Sequence, residues 1–424
     1  MRVWIYFKIG FLSLTMILNA SSVWANEIPA EPLPTVNLND LVEMALKNNP
    51  SLIAAKAEWE ASKTQVWSET TLPDPMVEIA PGDMESEFMI SQAIPFPFKL
   101  YEKGKIAQNE AEVASLNHAI VERDLLLRLS DAYFDLYYTD ASLETIGEVK
   151  NLLKRFESIA STRYSNLSGT QRDVAKAQAE VSMALERLYG LEQKRESAVA
   201  TINALLNRDP MMSLGKAELP PKPVLEYTLV ELVNIAVESR QEIQAAEAMV
   251  AKAAHMKRLA KLAYIPDLDI GFKYTNSKEE DDFWMLPIRF NLPVWQNRVI
   301  PEIQEAKHLE EARKADALEI KNSTYQEVKD SYFMFQTAMK MTELYETAVV
   351  PQAKLALSAD QAGYEAGNVD FLNLLDSERV YFNAKLSHIQ FFTEALKAYV
   401  DLLRCCGLTV VSAKKEGVKS NEQK

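Results

Sequence analysis

The sequence predicts a mainly α-helical chain with a small β part, built twice over. Three observations predict it. Apolar residues recur at three- and four-residue steps over very long runs, glycine occurs only 12 times in 424 residues, and the second half repeats the first. With 48% hydrophobic and 25% charged residues, the composition excludes wholesale disorder. A net charge of -14, from 60 acidic and 46 basic side chains, argues against a nucleic-acid partner. Two cysteines exclude a disulfide scaffold, and four scattered histidines offer no metal-ligand spacing.

Residues 1–25 read as a signal peptide. Arg2 and Lys8 precede the apolar stretch Ile9 to Leu18, and Val23-Trp24-Ala25 supplies the small residues of a cleavage site after Ala25. The apolar stretch is short for a membrane-spanning anchor, and no cysteine follows it to carry lipid. The mature chain is therefore expected in the periplasm or outer membrane. A proline-bearing lead occupies 26–37.

The first repeat spans 38–206 and the second 228–408, joined by a linker, 207–227, holding Pro210, Pro220, Pro221 and Pro223. At an offset of 191, Leu38, Leu41, Val42, Ala45, Leu52 and Ala55 fall on Leu229, Leu232, Val233, Ala236, Ile243 and Ala246. Each repeat opens with a helix, in the first case from Leu38 to about Glu69. Pro73-Asp74 and Pro266-Asp267 end these helices, and the period then changes to two. Val77 and Ile79, then Phe88, Ile90 and Ile94, make a hairpin over 74–96 around Pro81-Gly82-Asp83. Leu268, Ile270, Phe272 and Tyr274, then Trp284, Leu286, Ile288, Phe290 and Leu292, make another over 266–293. Strands of about nine to eleven residues suit a tilted crossing of an outer membrane.

Long helices follow, from about Lys99 to Arg163 and from about Val299 to Gly363, with a kink or break expected at Pro351. At 1.5 Å per residue each reaches about 100 Å, which implies coiled-coil packing. Shorter partner helices run from Gln171 to Leu206 and from Asp370 to Cys406, and a polar tail, 409–424, closes the chain. Four strands cannot close a barrel alone, so a membrane role demands several chains; eight strands from a dimer or twelve from a trimer both satisfy the count. The soluble alternative has the hairpins capping a periplasmic bundle.

The ordered set of motifs resembles the TolC-like family of outer-membrane efflux proteins, over about 38–408. Leu41, Ala45, Leu46, Asn49-Pro50 and Leu52 are similar to its opening helix. Arg163-Tyr164, Gly169, Gln171, Asp173-Val174 and Ala177-Gln178 resemble its first helix-turn-helix, and Tyr364, Gly367, Leu374-Leu375, Asp376 and Glu378 its second. The two turns superpose at an offset of 200, Tyr164 on Tyr364 and Gln178 on Glu378. The style of Gly169 to Gln178 is similar to the heavy-metal and cation branch. Leu167 departs from the glycine common at its position.

The resemblance implies a homotrimer with a 12-strand barrel in the outer-membrane lipid and a helical tunnel in the periplasm. It implies an exit duct for an inner-membrane pump, joined through a periplasmic adaptor. It places a periplasmic constriction at Asn373 and Asp376, where three aspartates would favour cations, and an entrance tie at Tyr364. Arg163, Tyr164 and Gly367 fall at the adaptor-facing tip. Asp370 reads as a helix cap, Trp284, Trp295, Tyr264, Tyr274 and Phe96 as interfacial aromatics, and Cys405-Cys406 as packing residues. No catalytic residue, cofactor or metal site emerges, and an envelope scaffold using the same helices without conducting is the alternative function.

Overall fold

The computed structural model describes residues 35–82, 85–277 and 281–408; the expected signal peptide and the polar tail lie outside them. The chain opens with β1 (Thr35–Val36), α1 (Leu38–Asn48) and α2 (Pro50–Thr70). A hairpin, β2 (Met76–Ala80) and β3 (Glu85–Ile94), leads into α3 (Pro97–Ser165) and α4 (Gln171–Leu205). After β4 (Lys216–Ala217) the pattern recurs as α5 (Leu229–Ser239), α6 (Gln241–Lys261), β5 (Leu268–Ser277), β6 (Phe283–Met285) and β7 (Ile288–Phe290). It ends in α7 (Gln296–Leu344), α8 (Val350–Glu365) and α9 (Phe371–Cys405).

The opening helix of each repeat is two helices, not one. Residue 50 is proline, which has no N–H to give and disfavours helical backbone at Asn49. Asn49 then caps α2, accepting from the backbone of Ser51 and Leu52, while its amide donates to the carbonyl of Leu205 at 2.8 Å. At the offset of 191 its counterpart is Arg240, where the second repeat breaks between α5 and α6.

The 69 residues of α3 run without interruption for about 100 Å. Its counterpart is interrupted by a wide turn at Tyr345–Val349 before α8 begins next to Pro351. The expected interruption thus takes the form of a π-type bulge, which removes the carbonyl clash that proline would otherwise make one turn earlier.

Helix α3 is the spine. It packs against α2 and α6 towards the sheet, and against α4 and α9 towards the opposite end, with α7 completing the layer beside α6 and α9. Leu125, Leu129, Tyr133 and Leu136 pack in a core with Val36, Leu214 and Ala217. The proline-rich linker is therefore docked. β4 pairs in parallel with β1, Tyr133 donates to the carbonyl of Glu218 at 2.9 Å, and the Ala217 amide donates to Asp140 at 3.0 Å.

The repeats are also tied by charge. The Arg123 guanidinium, 3% exposed, donates to both carboxylate oxygens of Glu242 at 2.9 and 2.6 Å. Arg240 donates to the same carboxylate, and also to Thr324 and Glu327 on α7. Burial opposes the Glu242 charge, but hydrogen bonds and charge from Arg123 override it and bring the carboxyl down to about 2.

Removing the guanidinium strands a part-buried carboxylate, so Arg123→Ala should cost about 3 kcal/mol in denaturant unfolding. Because the folded pKa is depressed from 4.5, this pair's contribution should be full above that pH and fade as pH falls towards 2. A wild-type acid transition that Arg123→Ala leaves unchanged would refute the assignment.

Candidate functional site: an inverted sheet and a pair of clasped turns

β3 and β5 pair antiparallel over ten positions, from Glu85 opposite Ser277 to Ile94 opposite Leu268. This pairing joins the two hairpins into one sheet, with β2 on one side of β3, and β6 and β7 in line on the far side of β5. The central strands have the full expected length. β2 has five residues, and the fourth strand is split where Pro287 cannot donate, although its carbonyl still accepts from Gly271 at 2.9 Å.

Residues opposite one another share a face. Val77 faces Ile90 and Phe272; Ile79 faces Phe88, Tyr274 and Trp284; Ile270 faces Ile288; Leu268 faces Phe290. The other face carries Glu87, Ser91, Asp269, Lys273, Thr275 and Arg289, with Lys273 paired to Glu87 at 2.6 Å and Arg289 to Asp269 at 2.8 Å. Exposure is reversed from that of a water-soluble sheet. Ile79 is 70% and Trp284 66% exposed, whereas Ser91 is 3% and Thr275 1%. An apolar outside and a polar inside is the pattern of a strand between lipid and an aqueous lumen.

The aromatics bracket this surface. Tyr274 and Trp284 sit side by side near the hairpin end, Trp284 stacked on Phe272 with centroids 6.4 Å apart. Tyr264 and Trp295 lie at the helical end, in the turn before β5 and at the start of α7. Over its whole length, Leu268–Ser277, β5 extends about 30 Å, which at a tilt of about 40° comes close to the height of a barrel's apolar band. The polar turn between β5 and β6 holds Tyr274, whose hydroxyl donates to Asp282 at 2.6 Å.

At the opposite end, two turns share one geometry. Ser168 donates back to the Arg163 carbonyl at 2.9 Å, and Asn368 to the Gly363 carbonyl at 2.8 Å, both closing a left-handed helix end. The left-handed residue is Leu167 (φ 59°) in the first turn and Gly367 (φ +80°) in the second, which are the same position at the offset of 200. Thr170 caps α4 and Asp370 caps α9.

The turns are clasped to each other. The Arg163 guanidinium lies 4.7 Å from the centre of the Tyr364 ring and donates to the Tyr364 carbonyl at 2.9 Å. Tyr364 is buried against Phe371, and Gly367 leaves room for the arginine, whose nearest nitrogen would sit 3.4 Å from an added Cβ. Tyr364 and Arg163, expected in separate roles, therefore form one unit within a protomer. Tyr164 is exposed beside them, and Leu167 is 96% exposed. Asn373 and Asp376 share an exposed stripe of α9, one and two turns beyond its cap.

One broad face of the α3–α9–α7 layer is open. On α3 it lies opposite the face that holds the linker, and it forms a recess of about 990 Å³ lined by Asp131, Asp330, Phe333, Met334, Glu394 and Lys397. Burial lifts the Asp131 carboxyl to about 6, with Asp135 and Asp401 adding to the rise and Lys397 opposing it. Among the described residues, no group of three or more His, Cys, Asp or Glu is placed to hold a metal ion. Cys405 and Cys406 are both buried, and burial raises both thiols, Cys406 to about 12.

Comparison with known proteins converges on one family. The cobalt-zinc-cadmium resistance protein CzcC of Cupriavidus metallidurans is 20% identical over 94% of this chain and 97% of its own. Residues 232–408 match the family described as outer membrane efflux protein. The second repeat carries that family's sequence pattern. Outer membrane protein TolC of Vibrio cholerae is 22% identical over 88% of this chain and 89% of its own. In fold, the outer membrane protein VceC of Vibrio cholerae superposes with a TM-score of 0.76 at 19% identity, covering 88% of this chain and 96% of that one. The chain is thus an outer-membrane protein with a long periplasmic helical part, of the fold class that closes as a trimeric barrel and tunnel.

Two substitutions test the geometry. A lysine on the apolar face, Ile90→Lys, should cost about 2–4 kcal/mol of barrel stability, whereas Ala93→Lys, on the polar face opposite Asp269, should be tolerated far better. Heat-modifiable gel mobility in detergent reads both; equal tolerance would reverse the assignment of faces. Leu167→Gly should raise stability by about 1 kcal/mol, because glycine adopts the left-handed turn without the Cβ clash. A lower melting midpoint would contradict it.

Proposed function

We propose that three copies of this chain form a passive exit duct through the outer membrane. The reading rests above all on the inverted sheet with its two unpaired edges, β2 and the β6–β7 strand. In hydrocarbon those edges need partners, and the β2 edge of one copy against the β6–β7 edge of the next gives twelve strands from three copies. The continuous helices carry the same three-fold arrangement into the periplasm, and the open acidic recess of each protomer faces the lumen, since the linker side is too bulky to lie inside. Conduction through such a duct involves no covalent step.

The exposed α9 stripe supports a constriction at the turn end, with Asp376 supplying three carboxylates around the axis and Asn373 a neutral ring beside them. Carboxylate rings favour cations. The Arg163–Tyr364 clasp supports an entrance held shut by each protomer's own turns, and Tyr164, Gly367 and the exposed Leu167 support a docking tip for a periplasmic adaptor. An inner-membrane pump delivers substrate and selects it. The name of the CzcC relative favours metal cations as cargo over other small toxic compounds. A non-conducting envelope scaffold built on the same coils is the competing reading, and the polar face of the sheet favours the duct.

Single-channel recording in planar bilayers distinguishes them. The wild type should give stepwise conductance, Asp376→Ala should reduce cation preference, and Arg163→Ala should raise the open fraction. Silence from wild type and Arg163→Ala alike, with trimers assembled in the membrane, would favour the scaffold. An unaltered ion preference in Asp376→Ala would remove the constriction from that residue.

A further inference from the structure

Two to three turns above the clasped tips, α3, α4 and α9 enclose a cavity of about 170 Å³. Ile146, Val149 and Leu153 of α3 give it an apolar floor. Its walls carry two acids: Glu180 on α4, 8% exposed, and Glu378 on α9, 2% exposed. Glu180 is held by the Arg379 guanidinium. Among the described residues, none gives Glu378 a hydrogen bond or ion pair, although Arg187 on α4 and Arg379 on its own helix lie near enough to act on its charge. A carboxyl buried beside a second carboxylate, with no donor on it, is held more readily with a proton than without one.

The position matters. Eight residues beyond the Asp370 cap places Glu378 about 12 Å up α9 from the tip, level with Glu180 on α4. These two helices flank α3 at the end where the entrance is proposed. Coiled-coil packing there includes Ala177, Val181, Leu374 and Phe382, so the carboxyl lies in the seam that holds the closed end together.

We propose that Glu378 is a proton-operated latch: carrying a proton it lets α4 and α9 close over α3, and losing that proton it drives their lower ends apart. The latch rests on the duct reading only for its consequence, which is opening of the entrance as pH rises. Burial first, and the Glu180 charge second, push the Glu378 carboxyl up to about 7, against a partial opposing pull from Arg379 and Arg187. The sign follows from the raised value. The closed packing is fully favoured below about 4.5, the ordinary range of a glutamate, and that advantage is lost as pH climbs through about 7.

Amide hydrogen exchange over the lower turns of α4 and α9, corrected for the intrinsic pH dependence, tests this on the assembled full-length protein. Protection in the wild type should fall about tenfold between pH 6 and pH 8, the change expected of one carboxyl titrating near 7 in the closed form and near 4.5 in the open one. Glu378→Gln keeps the shape and cannot ionise, so its protection should stay high across the range. Glu186→Gln, on an exposed face of α4, should leave the wild-type profile in place. If the glutamine variant fails to assemble, Glu378→Met provides the same test with an apolar side chain of similar length. A flat wild-type profile, or a tenfold fall that persists in either Glu378 variant, overturns the latch. Bilayer conductance at pH 6 and pH 8 then separates the two readings: silence at both, with the exchange transition present, leaves the latch standing and sinks the duct.

Discussion

The organising constraint on this protein is that a backbone amide or carbonyl in hydrocarbon has no water to bond. The β3–β5 ladder satisfies ten residue pairs at the centre of the sheet, and in doing so joins the two repeats. It also decides which edges remain. β2 and the β6–β7 strand belong to different repeats, so the unsatisfied edges lie at opposite sides of one protomer and a cyclic arrangement can close them. Everything below inherits that symmetry. The hairpins feed directly into α3 and α7, so the helices follow from the sheet with only a few residues between.

The long helices were legible in the sequence because period 3.6 over tens of residues has few other interpretations. The boundaries of α4 and α9 were legible too, since Thr170 and Asp370 are caps placed directly before apolar runs. The break at Asn49-Pro50 was present in the residues but hidden by the continuous apolar pattern on either side. The linker shows the converse. Four prolines mark an irregular segment, yet nothing local shows that Leu214 and Ala217 fill a core beside Tyr133, because that depends on residues some eighty positions away.

The candidate site was legible only as two separate motifs. An offset of 200 aligns the turns, and it correctly places Leu167 and Gly367 at the same left-handed position. Alignment cannot show that Arg163 of one turn covers Tyr364 of the other, since a contact between repeats is not a property of either repeat. The cross-repeat ion pair of Arg123 and Glu242 and the pairing of β3 with β5 went unseen for the same reason. Duplication makes the elements readable and leaves their mutual contacts to the fold.

Those contacts are also where the halves have diverged. Gln178 of the first repeat corresponds to Glu378 of the second, a neutral amide against a buried acid. Asn49 corresponds to Arg240, a helix cap against a guanidinium that reaches three partners. Because the repeats differ at these positions, the protomer carries Arg240 and Glu378 on one side only. The divergent positions therefore separate two kinds of charge in the helical wall. Arg123 and Arg240 meet Glu242 and hold the middle of the molecule at any pH the envelope meets, whereas Glu378 meets Glu180 and leaves the far end sensitive to a single proton. A duct needs both: a wall that does not open along its length, and one end that can.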